Sequence, residues 1–133
     1  MENDKPYLIR LKENIDDRGV LTPIEGAKDV PFEIKRVFYI YGLDEDSVRA
    51  NHANFLSAEV LICLSGACDI ELTDRNNSVS RYCLTEKNEG LYIPKMIWRK
   101  MSNFKKGSII LAVSDMHYDP DEIIFDKTVF LKQ

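Results

Sequence analysis

The sequence predicts an all-β fold, either a sandwich or a barrel, in a single domain over residues 1–133. Short segments rich in β-branched and aromatic residues, about nine in number, recur along the chain with turn-forming residues between them. Almost no stretch has the periodicity of a helix. The length of 133 residues suits one domain with one core, and no repeat or linker divides the chain.

The predicted elements follow one another with only turns or loops between them. The clearest strand is predicted at residues 32–41, where alternate residues, Arg36 among them, share one face. Gly19 and Gly66 suit tight turns between neighbouring strands. A short C-terminal helical segment is expected from Asp119, because aspartate caps a helix and acidic residues favour its first turn. The remaining predicted strands are residues 7–11, 20–24, 59–64, 68–73, 79–84 and 108–114.

Composition and charge exclude several classes of protein. The net charge of −4 argues against a nucleic-acid partner. No apolar run approaches the ~20 residues of a membrane-spanning helix, and residues 1–6 lack the pattern of a signal peptide. We therefore expect a cytoplasmic protein with no membrane partner. In that compartment Cys63, Cys68 and Cys83 are expected to be buried free thiols, and their spacing resembles no zinc site.

A first motif lies in residues 49–66. His52 and Asn54 are two residues apart, so on a strand they point to the same face. Glu59 follows five residues after Asn54, and Gly66 seven residues after Glu59. This spacing is similar to the first cupin motif, His-x-His followed by Glu and Gly, with Asn54 in place of the second histidine.

A second motif follows about one hairpin later. Pro94 and Asn103 match the second cupin motif, while Met96 stands at its glycine position and Arg99 at its histidine position. Two motifs in the right order indicate a resemblance to the cupins. The resemblance predicts a cupin-type double-stranded β-helix, or jelly roll.

The substitutions in these motifs bear on metal binding. In a metal cupin the ion is held at the positions that are His52, Asn54, Glu59 and Arg99 in this chain. Arginine is a permanent cation without an acceptor atom, so it cannot ligate a metal. The amide of asparagine is a weak ligand for a transition metal. We therefore expect no metal and no cofactor, and a pocket that binds an organic, anionic ligand.

Further motifs identify a narrower resemblance along nearly the whole chain. They are Asp16–Gly19, Ile34–Tyr39, Arg49–Asn54, Gly90–Tyr92 with Trp98, and Ser114 with Tyr118, Asp119 and Phe130. With these motifs the sequence resembles the nucleotide-linked 4-keto-6-deoxyhexose 3,4-ketoisomerases of bacterial surface-glycan biosynthesis, the WxcM-like C-terminal domain family. Family members usually carry histidine where this chain has Asn54 and glycine where it has Ala50.

The resemblance implies an activity and two alternatives. The activity is isomerisation of a dTDP-4-keto-6-deoxyhexose to the 3-keto sugar by acid/base enolisation, by a homodimer, with a transaminase acting next to make a deoxyamino sugar. The first alternative is a sugar-nucleotide-binding cupin without catalysis, which Asn54 favours. The second is a keto-sugar epimerase that uses His52 and Tyr39 as an acid–base pair.

Three residues are candidates for the proton chemistry. His52 is the natural proton carrier, because histidine titrates near neutral pH. Tyr39 is either a phenolic donor or a core residue. Asn54 is either a hydrogen-bond donor to an enediolate oxygen or a residue that holds a loop, and it cannot exchange a proton at neutral pH.

Five residues are candidates for substrate binding. Arg18, Arg49 and Arg99 could bind the diphosphate, because guanidinium groups match phosphate oxygens in pairs. Glu59 is either an acid in the pocket or a partner that orients His52. Trp98 either stacks on the base or sugar, or closes the barrel. His117 is expected at the surface or at an interface.

Overall fold

The protein is almost entirely β-structure, as the sequence predicts. The computed structural model describes residues 5–133, and within that range it contains twelve strands, one 3-10 turn and one short α-helix. The strands are β1 (Tyr7–Arg10), β2 (Asn14–Asp16), β3 (Gly19–Leu21), β4 (Arg36–Ile40), β5 (Arg49–Asn54), β6 (Glu59–Ser65), β7 (Cys68–Thr73), β8 (Val79–Leu84), β9 (Glu89–Ile93), β10 (Trp98–Ser102), β11 (Ile109–Ser114) and β12 (Ile123–Ile124), and the helix is α1 (Lys127–Leu131).

The strands form two five-stranded sheets and a separate hairpin. The first sheet has the order β1-β9-β6-β11-β4, and the second has the order β12-β5-β10-β7-β8. All the strand pairs are antiparallel. Strands that are distant in the sequence are neighbours in both sheets, which is the arrangement of the cupin double-stranded β-helix. The hairpin β2–β3 pairs with neither sheet.

The main core lies between the two sheets. Its members are apolar side chains that alternate along the strands and face inward, and burying each large one stabilises the fold by about 1.5–3 kcal/mol. A second apolar cluster covers the other face of the first sheet, where Val30 and Phe32 pack with Val60, Ile62 and Val113. The main core includes Leu61, Cys63, Ile70, Leu72, Leu84, Leu91, Ile93 and Ile110.

The turn at Gly66 confirms the role predicted for this glycine. It joins β6 to β7 with a φ of +78°, a conformation that disfavours residues with a Cβ atom. An added Cβ would also lie 2.9 Å from the Cα of Ser108, so no other side chain fits there without displacing the backbone. Gly66 therefore fixes the connection between the two sheets at this end of the barrel.

The strand predicted at residues 20–24 is shorter in the structure, where β3 spans Gly19–Leu21, and two other predicted elements differ more. Strand β4 begins at Arg36 rather than at residue 32, because Phe32 and Ile34 are partly buried by packing against the outer face of the first sheet and do not pair as a strand. The predicted helical segment is divided. Asp119 caps a 3-10 turn, strand β12 follows, and α1 begins only after Asp126, whose side chain accepts a hydrogen bond from the N–H of Thr128.

The cysteine prediction holds for two thiols and fails for the third. Cys63 and Cys68 are buried, but Cys83 is exposed on β8, the outermost strand of the second sheet. The prediction of a buried thiol was therefore wrong for Cys83.

In the part of the chain that the structure describes, no helix has the length and apolar character to cross a membrane.

Candidate active site

A cavity of about 170 Å³ lies between the two sheets at one end of the barrel. Strands from both sheets and the segment after β11 form its wall, so residues distant in the sequence meet there. The lining residues are Arg36, Phe38 and Ile40 from β4, Arg49, Ala50, His52 and Asn54 from β5, Glu59 and Leu61 from β6, Arg99 and Met101 from β10, and Tyr118, Glu122 and Ile123.

His52 lies half-buried in the wall of this cavity. Its ring contacts Phe125 edge-on, with 5.8 Å between the ring centroids. Burial and then the nearby charge of Arg99 lower the pKa of His52 from 6.5 to about 4, although Glu59 and Glu122 act in the opposite direction. Nδ1 of His52 has no hydrogen-bond partner among residues 5–133. The imidazole is therefore neutral at pH 7 and can accept a proton.

Arg99 and Glu59 form a buried ion pair beside His52. Arg99 is 1% exposed, and its Nη1 donates to Oε1 of Glu59 over 2.7 Å. Its Nη2 donates to the backbone carbonyl of Ile97 over 3.1 Å, while Nε has no partner within the described range. The register of β10 on β5 places Arg99 opposite His52. Nε is therefore the guanidinium nitrogen of Arg99 that has no hydrogen-bond partner among residues 5–133.

Asn54 is held by a hydrogen-bonded group at the end of β5. Its Nδ2 donates to Oγ of Ser57 over 3.1 Å, and that hydroxyl donates to Oε2 of Glu122 over 2.5 Å. Oε1 of Glu122 accepts from the backbone N–H groups of Leu56 and Ser57, at 2.9 and 3.0 Å. The C-terminal segment thus ties down the loop between β5 and β6.

Two further arginines give the cavity a positive side. Arg36 and Arg49 line it, and neither has a carboxylate partner in the described part of the chain. The guanidinium of Arg36 lies over the rings of Phe38 and Tyr118, at 4.5 and 4.9 Å from their centroids. Arginine keeps its charge in such surroundings, so these two groups are available to an anion.

The structure places five of the eight candidate residues in the cavity wall and three outside it. Tyr39 points away from the barrel on the outer face of β4, is 62% exposed, and stacks on Tyr41. Arg18 lies on the hairpin β2–β3, exposed and bonded to Asp16. Trp98 is buried against Phe130 beneath α1, which fits closing of the barrel rather than stacking on a ligand. The five in the wall are Arg49, His52, Asn54, Glu59 and Arg99.

Three polar residues of the cavity wall, Arg36, Tyr118 and Glu122, were not among the predicted site residues. Arg36 carried a signal, because a charged residue on the apolar face of a predicted strand points into the barrel. Tyr118 belongs to a motif that carries the family resemblance, but that motif gave it no role in the site. Glu122 carried no comparable signal, since it comes from the short 3-10 turn after β11. The sequence also left open whether Glu59 orients His52, and in the structure Glu59 instead bonds Arg99.

The donor set of the cavity does not match a metal centre. Between residues 5 and 133 no group of three or more His, Cys, Asp or Glu side chains is placed to hold an ion. At the position of the later histidine of the metal cupins, Arg99 contributes a cation. The residues present instead suit hydrogen bonding to an oxygen-rich organic ligand.

The fold and this cavity define a cupin whose cavity wall carries charged and hydrogen-bonding side chains from both sheets. The chain belongs to the family described as FdtA, WxcM-like, C-terminal, whose model matches residues 4–133. It is 35% identical over 124 residues to the TDP-4-oxo-6-deoxy-alpha-D-glucose-3,4-oxoisomerase of Aneurinibacillus thermoaerophilus, covering 93% of this chain and 86% of that protein.

Solved structures agree with this assignment. The WlaRB TDP-quinovose 3,4-ketoisomerase of Campylobacter jejuni superposes with a TM-score of 0.93 at 39% identity, covering 96% of this chain and 98% of that one. The 3,4-ketoisomerase QdtA of Thermoanaerobacterium thermosaccharolyticum superposes with a TM-score of 0.92 at 35% identity, covering 96% and 91%. That QdtA structure is of a His-to-Asn mutant in complex with TDP-4-keto-6-deoxyglucose.

Proposed function

We propose that this protein is a sugar-nucleotide 3,4-ketoisomerase that converts a dTDP-4-keto-6-deoxyhexose to its 3-keto isomer. One observation carries the proposal. His52 is a half-buried, neutral base in the same cavity as the unpartnered Nε of Arg99, within the described residues. Family membership and the activities named for the relatives support it.

The reaction needs one base and one donor to an oxyanion. His52 removes the proton from C3, next to the C4 ketone, and an enediolate forms. The proton of the O3 hydroxyl then moves to O4, and the proton held by His52 is delivered to C4, which leaves O3 as the ketone oxygen. Positioned acid–base catalysis of this kind contributes roughly 10²–10⁴-fold. Nε of Arg99 stabilises the enediolate through a charge-assisted hydrogen bond.

One imidazole performs both proton transfers at carbon in this scheme. Asn54 cannot carry a proton, so His52 takes the hydrogen from C3 and returns it to C4. Both transfers then take place on the same face of the sugar. The cavity supplies a phenol in Tyr118, which can pass the hydroxyl proton between the oxygens, whereas Tyr39 faces away from this cavity.

The nucleotide extends out of the cavity. A volume of about 170 Å³ is smaller than the roughly 300–1,000 Å³ of sites that enclose a drug-sized ligand. The cavity therefore accommodates the sugar, and Arg36 and Arg49 bind the diphosphate at its open side. Arg99 is already paired with Glu59, so its role lies with the sugar rather than with the diphosphate.

We further propose a cytoplasmic homodimer that serves deoxyamino-sugar biosynthesis for surface glycans such as lipopolysaccharide. Exposed edge strands of a sheet are usually covered. Strand β4 is an edge, and Val37, Tyr39 and Tyr41 expose apolar side chains along it. The free thiols Cys63, Cys68 and Cys83 are typical of a reducing compartment.

The test is incubation of the purified protein with TDP-4-keto-6-deoxyglucose in deuterated buffer, followed by NMR. We expect a 3-keto product with deuterium at C4, below full occupancy because His52 returns part of the original hydrogen. Deuterium next to an unmoved C4 ketone would identify an epimerase. His52→Gln should abolish turnover, and His117→Gln, which alters the exposed histidine, should leave it unchanged.

A second candidate function is binding of the sugar nucleotide without turnover. Asn54 favours it, because the family resemblance implies histidine at this position. The result that identifies it is tight binding of TDP-4-keto-6-deoxyglucose with neither product nor deuterium incorporation. In that case Asn54→His should introduce turnover if the remaining residues form an isomerase site.

A further inference from the structure

The orientation of the Asn54 side-chain amide follows from the groups that surround it. Ser57 has one hydroxyl proton and donates it to Oε2 of Glu122 over 2.5 Å. A hydroxyl whose only proton is donated in a hydrogen bond to a carboxylate can act only as an acceptor towards a third group. The atom of Asn54 that faces Ser57 at 3.1 Å must therefore be the NH₂ group. Glu122 thus determines, through Ser57, which end of the amide remains free.

The free end is the carbonyl oxygen. Oδ1 of Asn54 is buried and has no hydrogen-bond partner among residues 5–133, and the side chain lines the cavity. An unpaired acceptor in a buried site is destabilising, and a ligand that donates a hydrogen bond to it removes this cost. A sugar hydroxyl can donate to this oxygen, and a ketone oxygen cannot.

We propose that Ser57 and Glu122 are positioning residues that hold Asn54 as a hydrogen-bond acceptor, so that this part of the cavity selects a hydroxyl of the sugar. The inference rests on the proposed function for the class of ligand. It adds Ser57 and Glu122 as positioning residues, and it states that the Asn54 side chain accepts a hydrogen bond from the ligand. Asn54 and Arg99 then have opposite roles. Asn54 accepts from a hydroxyl, and Nε of Arg99 donates to a carbonyl or enediolate oxygen.

The carboxylate of Glu122 has two separate roles. Its Oε1 accepts from the backbone N–H groups of Leu56 and Ser57, which shapes the loop after β5. Its Oε2 accepts from the hydroxyl of Ser57, which orients Asn54. Replacing Glu122 would disturb both. Ser57→Ala removes only the second, because the two backbone hydrogen bonds to Oε1 remain.

The experiment is a double-mutant cycle in binding. The probes are TDP-6-deoxyglucose, which has no ketone and is not turned over, and TDP alone, measured by calorimetry. Asn54→Ala should weaken TDP-6-deoxyglucose binding roughly 10-fold, in line with one lost hydrogen bond to a buried group, and leave TDP binding unchanged. Ser57→Ala should weaken it several-fold. In the Asn54→Ala background, Ser57→Ala should have no further effect.

The cycle separates positioning from a general structural role. If the two losses multiply, Ser57 does not act through Asn54 and the inference is overturned. The inference is also overturned if the unaltered protein and Asn54→Ala bind TDP-6-deoxyglucose with the same affinity while both still bind TDP. Ser114→Ala is the matched control, since Ser114 is a buried serine outside the cavity lining, and it should change neither affinity.

A second measurement needs no ligand. The side-chain NH₂ signals of Asn54, assigned by their loss in Asn54→Ala, should exchange slowly with water in the unaltered protein and rapidly in Ser57→Ala. Equal exchange in both proteins would overturn the inference. Neither measurement depends on turnover. If Ser57 and Asn54 are coupled in a protein that isomerises nothing, the isomerase proposal is rejected and this inference is retained. If the protein isomerises its substrate but the two reductions in affinity multiply, the isomerase proposal is retained and this inference is rejected.

Discussion

Arg99 and Glu59 form an ion pair inside the barrel, with Nη1 of the arginine 2.7 Å from Oε1 of the glutamate and both residues less than 10% exposed. Each of these buried charges compensates the loss of water around the other, so removing one leaves an unpaired charge in the interior. The pair also holds the arginine with Nε free beside His52. One contact therefore links the stability of the fold to the chemistry of the cavity, within the part of the chain described.

Breaking this ion pair should destabilise the protein strongly. Glu59→Ala leaves the Arg99 guanidinium buried without its counter-charge, and such changes cost about 3–5 kcal/mol in the free energy of unfolding. Urea denaturation measures the loss. The double replacement Glu59→Leu with Arg99→Met removes both charges and should recover most of it. A double variant no more stable than Glu59→Ala would contradict this account of the pair.

The protein should become less stable as the pH is lowered through the range where His52 titrates. The folded pKa of His52 is about 4, against an ordinary value of 6.5, so the unfolded chain takes up the proton first as the pH is lowered. The contribution of His52 is complete above about pH 6.5 and is lost as the pH approaches 4. Denaturation curves at several pH values between 7.5 and 4.5 should show this decline. In His52→Gln the decline should be smaller. If the free energy of unfolding depends on pH equally in the two proteins, His52 is not a half-buried neutral imidazole.

Glycine at position 50 should stabilise the protein. Ala50 has a φ of +63°, in the left-handed region where a Cβ atom costs about 1–2 kcal/mol. Ala50→Gly removes that strain, and the greater freedom of glycine in the unfolded chain offsets part of the gain. We expect a net gain of about 0.5–1 kcal/mol by thermal or urea denaturation. Ala112→Gly, in the extended backbone of β11, should instead lower stability, and a gain there would rule out this explanation.

Arg49 should contribute to nucleotide binding. Its side chain lines the cavity and has no carboxylate partner within residues 5–133. Arg49→Met should weaken TDP binding by roughly 10-fold or more, since hydrogen bonds to charged groups contribute about 1.5–3 kcal/mol. Titration calorimetry gives the affinity. Arg75→Met, in the exposed turn between β7 and β8, is the control and should bind TDP normally. Unchanged binding in Arg49→Met would place the diphosphate elsewhere.

The proposed homodimer should dissociate when β4 is made charged on its outer face. Tyr39→Glu adds a carboxylate to the apolar strip of Val37, Tyr39 and Tyr41. Light scattering coupled to size exclusion should then give the mass of one chain, where the unaltered protein gives two. Val79→Glu places the same charge on β8, the edge of the second sheet, and should leave the dimer intact. A dimer that tolerates Tyr39→Glu would use another face.

The sequence was sufficient to predict the fold and five of the residues that line the cavity. Period-two alternation and glycine turns predict strands because those patterns act locally, and the spacing of His52, Asn54 and Glu59 fixed their place in the cavity wall. Arg99 was placed correctly by its motif position, but its ion pair with Glu59 depends on how the two sheets meet. That contact joins residues 40 positions apart, and no local pattern encodes it.

The residues that were misplaced or missed depend on long-range packing. Tyr39 and Arg36 lie on the same predicted strand, and the alternation separates their faces, but only the assembled barrel shows which face lines the cavity. Glu122 comes from an irregular segment whose path depends on the pairing of β12 with β5. Sequence periodicity contains no information about such a path.

The pairing of β12 with β5 also has a consequence for the order of assembly during synthesis. Ile123 lies opposite Asn54, and Glu122 accepts from the backbone of Leu56, so this segment organises residues made 66 positions before it. Contacts of such long sequence separation form late in folding. A nascent chain that has not yet extended residues 122–124 beyond the ribosome would have most of its strands but no ordered loop after β5. Binding competence should therefore appear only after these residues have emerged.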